Sequence, residues 1–443
     1  MSFRRLIIGE SELPAAWYNV LADLPEALPP ALDPATLRPS RRADLARLFP
    51  QALIEQGDAA ARWIDIPDEV RRAYALWRPT PLLRATGLER ELRTPARIYF
   101  KDESHSPPGS HKLNTAVPQA YYAREEGVAR LTTETGAGQW GCSLAIACSL
   151  FDLQCRVYMV RLTCRSRPYR QTMIRLWGGD VIPSPSEETE VGRRILAADP
   201  DCPGSIGIAI SEAMEAASSA PDARYAMGSV LNHVLLHQTV IGLEVEKQLA
   251  MAGDEPDVLI GCAGGGSNFA GLIFPYVPHK LRGKAIRFLA AEPQACPTLT
   301  RGEYRYDSTD AGQLGPLVKM YTLGHEFVPP EIRACGLRYH GMAPTVSLLA
   351  KLGLVEAVAY REDECFEAAR MFAAAEGTIP ALESAYAIRA AVNEAVRCRE
   401  TSKESCIVCT LSGHGLCELA SWSVDRNCTP QRSCTQEEFP HGR

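Results

Sequence analysis

The sequence predicts an α/β protein with two core units built on mostly parallel sheets. Three observations predict it: strand and helix patterns alternate along most of the chain, the strands are short apolar runs, and several end in glycine-rich turns that open a helix. Alternation of this kind belongs to parallel sheets covered by helices on both faces. At 443 residues the chain exceeds the size at which one hydrophobic core keeps growing, so two interleaved units are expected.

Residues 1 to about 95 are rich in proline, as in LPEALPPALDPATLRPS, and read as a covering arm with short helices. Order then becomes regular. RIYFKDE (97–103) is a strand, GSHKLNTAVPQAYYAREEG opens a helix, RLTTET (130–135) is a strand and QWGCSLAIACSLFD a helix. The strand QCRVYMV (154–160), the helix PYRQTMIRLWG and the strand DVIPS continue the pattern. A long helix from about Ser229 to Ala252 leads to the strand DVLIGCAG, the helix SNFAGLIFPY and the strand AIRFLAAEP. DECFEAARMFAAAEG and PALESAYAIRAAVNEAV are amphipathic helices, and ESCIVCTLSG is a buried strand ending in a glycine turn. No repeat recurs at a fixed period. The polar, cysteine-dotted tail, 426–443, is expected to be poorly ordered.

Composition excludes several classes. The 46% apolar and 23% charged content is that of a soluble globular protein. A net charge of -6, with basic residues scattered among acidic ones, leaves no basic stripe for nucleic acid. The apolar run near the start is too short for a signal-peptide core, and no uncharged run reaches membrane-spanning length. Fifteen cysteines without a secretion signal read as reduced thiols, with Cys142 and Cys148 as small core residues, which points to a cytoplasmic or similarly reducing compartment.

Three loops carry candidate chemistry. In CAGGGSNFAG (262–271) the glycines let the backbone approach an anion, and Ser267 and Asn268 add donors at a helix start, which suits a monophosphate. Read alone, it is equally a tight turn that binds nothing. SPPGSHKLNTA (106–116) places Lys112 at a helix start, where burial disfavours its charged form, as an amine nucleophile requires. By itself it is also an ordinary surface lysine. In TETGAGQWG (133–141), Gly136 and Gly138 free amides to wrap a carboxylate and Glu134 is an acid-base candidate, or a solvated glutamate beside a turn. Three such turns at the carboxyl ends of strands favour a ligand site, because open α/β sheets bind ligands at that edge.

Together, GSHKLNT, ETGAGQWG, GGGSN, EGTIPALES and LSGHG, in this order, resemble the tryptophan synthase β-chain family, particularly its longer second branch. The covering arm, with LADLPEALPP and LWRPTPL, is similar to that branch too, so the resemblance runs to about residue 420. It implies a fold-type II pyridoxal 5'-phosphate enzyme, with the cofactor between two α/β domains: a core of 96–126 and 216–425, and a mobile subdomain, 127–215, that closes over substrate. By the match Lys112 carries the cofactor. Gly264, Gly265, Gly266, Ser267 and Asn268 hold its phosphate with His111 and Ser229, Ser412 faces its ring nitrogen, and Glu376 lies near its oxygen side. Thr135, Gly136, Ala137, Gly138, Gln139 and Trp140 receive the amino acid. A monovalent cation, K+ or Na+, is implied at the carbonyls of Gly264, Tyr339 and Gly341.

The implied reaction makes tryptophan from serine and indole. A serine hydroxyl at the ring nitrogen leaves the ring a weaker electron sink than a carboxylate would, which favours loss of a β-substituent. The freed Lys112 amine removes the α-proton, Glu134 protonates the departing hydroxyl, and indole attacks through C3 while Glu134 polarises its N-H. Lys112 then returns the proton. The resemblance also implies a homodimer, and the long arm suggests one that works without an α-subunit.

Some residues depart from the family pattern. Thr378 and Tyr386 flank the cofactor motif, from which they can alter the nucleophile pocket, and Asp102, after FK, replaces a more usual tyrosine. Arg338, in GLRYHG, stands where many β-chains carry an aspartate that bonds the substrate hydroxyl. An arginine fork suits a phosphate, so O-phosphoserine becomes a candidate donor, unless Arg338 is engaged by Glu103 or Glu376. His233 and His237 lie four apart on a helix, and Cys406 and Cys409 share a C-x-x-C. Helix packing better explains the former, and strand alternation separates the latter. The competing readings are a serine or threonine deaminase, replacement by another nucleophile, and a catalytically silent amino-acid binder.

Overall fold

The computed structural model describes residues 4–310 and 312–422. The segment expected to form a disordered tail, 426–443, lies outside the described residues. A seven-stranded sheet runs in the order Arg5–Leu6, Leu82–Arg84, Arg97–Asp102, Cys406–Leu411, Val258–Cys262, Arg287–Pro293 and Glu356–Tyr360. The last five are parallel, and the first two add an antiparallel edge. A four-stranded sheet, all parallel, runs Gly179–Ser184, Gln154–Val160, Arg130–Thr135 and Ala223–Tyr225.

Strand periodicity builds the cores. Every residue of Cys406–Leu411 is buried, so the strand is apolar on both faces. Cys406 and Val408 enter one hydrophobic cluster, while Ile407, Cys409 and Leu411 enter the other. The two cysteines of the C-x-x-C therefore point to opposite sides of the sheet, as alternation requires. The helices Glu362–Glu376 and Ser384–Thr401 cover one face, and the helices Asn232–Gln238, Val240–Ala252 and Ser267–Ile273 cover the other. A third cluster, with Leu131, Val157 and Leu144, forms around the small sheet.

Several boundaries differ from expectation. The amino-terminal arm is more than a cover: Arg5–Leu6 and Leu82–Arg84 complete the edge of the large sheet, and Trp17 and Tyr74 are core residues. The small sheet takes its fourth strand, Ala223–Tyr225, from beyond residue 215, which pairs an edge that would otherwise expose backbone donors and acceptors. The long helix divides at Thr239, where the backbone bond shortens to an i−3 link with Leu236. The Thr239 hydroxyl donates to the Leu236 carbonyl at 2.6 Å and accepts from Tyr18 N at 3.1 Å. An antiparallel hairpin, Glu303–Ser308 with Leu317–Thr322, had no clear signal in the sequence. His237 bonds Thr115 and Gln56 through its two ring nitrogens, and the His233 ring packs edge-on against Phe49.

Four charges are buried together beneath the edge of the large sheet. Glu244 accepts from Arg78 Nε at 2.8 Å and from Lys101 Nζ at 2.6 Å, and Glu103 accepts from Arg78 Nη1 at 2.9 Å. Thr80, Gln248 and Asn114 satisfy remaining positions. Burial opposes ionisation of Glu103, but Arg78 and Lys101 outweigh it and hold the carboxyl down at about 2. With two positive and two negative groups, the cluster is neutral. Removing one member strands a charge in the interior, a loss of about 3–5 kcal/mol. Glu244→Gln should therefore unfold at markedly lower denaturant concentration than the parent, as followed by circular dichroism. An unchanged midpoint would show that water reaches Arg78 and Lys101.

Candidate active site

Local chain geometry sets up the first loop. Ser106 Oγ donates to the Ser110 carbonyl at 2.6 Å and accepts from Ser110 N at 2.9 Å, which closes the turn before the helix Leu113–Glu125. Gly109 has φ +73°, and a side chain there would strike the His414 ring. His111 N donates to the Ser412 carbonyl at 2.9 Å. Lys112 is thereby held at the helix start, facing the strand end that carries Ser412.

A cavity of about 120 Å³ opens at the carboxyl ends of strands Arg130–Thr135, Val258–Cys262 and Cys406–Leu411. It gathers His111 and Lys112 from the first loop. The second loop supplies Glu134, Thr135, Gly136, Ala137, Gln139 and Trp140. Ser229, Gly264, Gly265, Gly266, Ser267 and Asn268 form another wall, with Arg338, Tyr339 and Ser412 on the remaining sides.

Three expected residues do not line it. Gly138 sits behind the loop at φ +94°, where its amide donates to Thr135 Oγ1 at 3.1 Å and Arg170 packs against it. Gly341 is bridged to Thr322. Glu376 is displaced outright. It ends the helix Glu362–Glu376 before Gly377, which adopts the left-handed conformation, and its buried carboxylate accepts from Leu88 N at 2.8 Å and pairs with Arg4 at 3.0 Å. The chain then turns back, bridging Pro380 to His414, and delivers Glu383 to the cavity instead. Glu383 Oε1 accepts from Gly336 N at 2.9 Å, and its Oε2 accepts from Gln139 Nε2 at 3.3 Å. Thr378, Tyr386 and Asp102 also lie off the cavity: Tyr386 is in the core, and Asp102 caps Ser104 N and pairs with His105.

Neither proposed acid engages Arg338, since Glu103 is paired with Arg78 and Glu376 with Arg4. Arg338 Nη2 donates to the Pro329 carbonyl at 2.7 Å, while its Nε is buried without a partner on the cavity wall.

Burial shapes the acid-base groups. It pulls the Lys112 ammonium below the ordinary lysine range, against the opposing pull of Glu383. It raises Glu134 to about 7, although Tyr225 OH donates to Glu134 Oε2 at 2.5 Å and favours the carboxylate. It lowers His111 to about 3, helped by Lys112, so this ring is neutral. Tyr225, Cys262 and Glu383 were missed from the sequence. Tyr225 sits on a three-residue strand whose contact with Glu134 only the sheet pairing creates.

The arrangement suits a phosphorylated pyridine. Asn268 lines the cavity; its Oδ1 accepts from Thr410 Oγ1 at 2.5 Å, and its amide nitrogen is a buried donor without a partner. A side chain at Gly265 would meet Ser229 Oγ at 3.0 Å, so the wall is close enough for both to contact one small anion. His111 Nδ1 is a second buried atom without a partner. A phosphate supplies the acceptors that Asn268 and Ser229 require.

Residues 74–413 match the family model described as pyridoxal-phosphate dependent enzyme. The tryptophan synthase beta chain 2 of Aquifex aeolicus is 57% identical over 95% of this chain and 98% of its own. That of Thermotoga maritima is 59% identical over 93% and 97%. Among solved structures, an L-serine ammonia-lyase from Rhizomucor miehei superposes with a TM-score of 0.57 at 17% identity, covering 76% of this chain and 94% of that one. Maize serine racemase gives 0.56 at 19%, covering 80% and 96%. These two structures establish a shared fold.

Glu134 ties the site to stability. Its folded value, about 7, lies above the ordinary 4.5. Its contribution is therefore full below about pH 4.5 and is lost as pH rises through about 7, a swing on the order of 3 kcal/mol. In cofactor-free protein, Glu134→Gln should gain thermal stability relative to the parent as pH rises from about 5 to 8. Calorimetry at both ends checks this; a pH-independent difference would place the carboxyl in its ordinary range.

Proposed function

We propose, from the premise that this chain belongs to the tryptophan synthase β-chain family of pyridoxal-phosphate-dependent enzymes, that it replaces the β-hydroxyl of serine with indole to form tryptophan. The observation that carries the reading is that Lys112, Glu134 and the glycine cup share one cavity. Pyridoxal phosphate, when bound, supplies the electron sink that labilises bonds at the amino acid's α-carbon and expels the β-substituent. Asn268, Ser229 and the 264–266 amides would hold its phosphate, with Ser412 at the ring.

The protein's own groups do the rest. Lys112, its ammonium disfavoured by burial, takes the α-proton and later returns it. Glu134, poised near neutrality, protonates the departing hydroxyl; as a carboxylate it then accepts a hydrogen bond from the indole N-H and takes up the proton that C3 sheds, which restores its acid form. Amides around Gly136 and Ala137 hold the substrate carboxylate. Ile206, Ile210, Met227 and Leu337 give the cavity an apolar side that suits an aromatic nucleophile and excludes water, which disfavours the deaminase reading. The unit around the small sheet closes over the substrate. A silent binder would need neither the base nor the acid.

The chain works as a homodimer without an α-subunit, in the cytoplasm. Every described cysteine is a free thiol, and no helix among the described residues is long and apolar enough to cross a membrane. K+ or Na+ would be held by the carbonyls of Gly264, Tyr339 and Gly341, and replacing both ions with a bulky organic cation should lower turnover. The purified chain alone should convert serine and indole to tryptophan, borohydride should fix the cofactor to Lys112, and Glu134→Ala should lose ~10²- to 10⁴-fold in rate. Label on another lysine, near-parental Glu134→Ala turnover, or a several-fold gain on adding an α-subunit would each contradict its part.

A second donor is favoured by the buried, partnerless Nε of Arg338. A phosphate leaving group offers this fork the bidentate acceptor that a hydroxyl lacks. O-phosphoserine should therefore serve as substrate, and Arg338→Ala should lower kcat/KM for phosphoserine far more than for serine. Equal losses for both donors would show that Arg338 does not select the leaving group.

A further inference from the structure

We infer that Ser384 and Cys262 are positioning residues that compel the Ser412 hydroxyl to donate into the cavity, so that a ring nitrogen there accepts a hydrogen bond and stays unprotonated. The inference rests on the reading above, in which Ser412 faces the pyridine nitrogen.

The argument is a count of protons and lone pairs. A serine hydroxyl has one proton to donate and two lone pairs to accept with. Ser384 Oγ accepts from Ser412 N at 3.0 Å, which occupies one of its lone pairs and leaves its own proton to be placed. Ser384 is fully buried, and among the described residues the acceptor within reach of its hydroxyl is Ser412 Oγ, at 2.9 Å. A buried O-H without an acceptor costs more than the bond itself contributes, so Ser384 donates to Ser412.

The second lone pair of Ser412 is met by Cys262, whose Sγ lies 3.8 Å from Ser412 Oγ. Burial, reinforced by the nearby Glu383 carboxylate, pushes this thiol up to about 12. It therefore keeps its proton at neutral pH, and the contact is made with Cys262 Sγ as the donor. With Ser384 and Cys262 filling both lone pairs, the only capacity left on Ser412 Oγ is its proton, and Ser412 lines the cavity. Were Ser384 absent, Ser412 could turn its proton away and present a lone pair, which would favour a protonated ring. The two residues thus fix the polarity of a contact that neither makes directly.

The test uses holoenzyme loaded with pyridoxal phosphate labelled with 15N in the ring. The parent should show the nitrogen shift of an unprotonated, hydrogen-bonded pyridine. In Ser384→Ala the resonance should move away from that position, and the cofactor dissociation constant should rise about 3- to 10-fold, as expected for one net hydrogen bond. Cys262→Ala should move it less, and Cys262→Ser, which restores a donor, should return it to the parental value. In a Ser412→Ala background, Ser384→Ala should add no further shift, because its effect passes through Ser412. A parental spectrum with a protonated nitrogen, unchanged shifts in both alanine variants, or an added shift in the Ser412→Ala background would overturn the inference. A parent protein that fails to take up the cofactor would instead overturn the reading of the site, and the Cys262 pair keeps the test open should Ser384→Ala fail to fold.

Discussion

The structure depends on the neutral cluster of Arg78, Lys101, Glu103 and Glu244, all fully or almost fully buried. Such pairs add little net stability, because desolvation offsets most of their attraction, but they are demanding about position. This one joins four parts of the chain. Arg78 comes from the arm, Lys101 from a sheet strand, Glu103 from the turn after it, and Glu244 from a helix on the covering layer. Asn114 donates to Glu103 at 2.9 Å and to Gln238 at 3.1 Å, which ties the first turn of the helix following Lys112 to the same cluster. The Lys112 amine is thus positioned by charges that do not line the cavity.

One cause explains both unusual titrating groups in the cavity. Burial disfavours charge whatever its sign, so it lowers the lysine and raises the glutamate. The amine is drawn toward its basic form and the carboxyl toward its acidic form, which are the forms that proton removal and leaving-group protonation require. Glu383 moderates the first effect and Tyr225 the second. Without such partners, the stability lost to burying two ionisable groups would be larger.

What was legible in the sequence follows from locality. The strands at Arg130–Thr135 and Gln154–Val160 were read to the residue, because runs of β-branched and aromatic residues bounded by helix patterns are local signals. Glu376 and Glu383 show the limit. Both lie around EGTIPALES, and choosing between them needs the turn at Gly377 and the bridge from Pro380 to His414, a contact between distant segments. The arm's place in the large sheet was hidden for the same reason: Arg5–Leu6 is too short to signal a strand and exists only because Leu82–Arg84 offers it an edge. The buried charges appeared in sequence as ordinary surface types, since Arg78 and Glu244 are 166 residues apart.

Lys112 and Glu134 belong to different sheets, so the site also depends on the seam between them. Lys112 follows a strand of the large sheet, whereas Glu134 lies on the small one. Across the seam Arg170 donates to the Pro108 carbonyl at 3.0 Å, Arg167 pairs with Glu418 at 2.8 Å, and Gln139 bonds both Glu383 and Glu418. Unlike the cluster beneath the edge of the large sheet, this seam is incompletely satisfied: Arg170 Nε and Nη2 and Glu418 Oε2 are buried without a hydrogen-bond partner. A network with unmet donors and an unmet acceptor gives up less on exposure to water than one whose groups are all paired. Of the two polar networks behind Lys112 and Glu134, the seam is the one that costs less to part, and Gln139 and Glu383 carry it to the cavity wall.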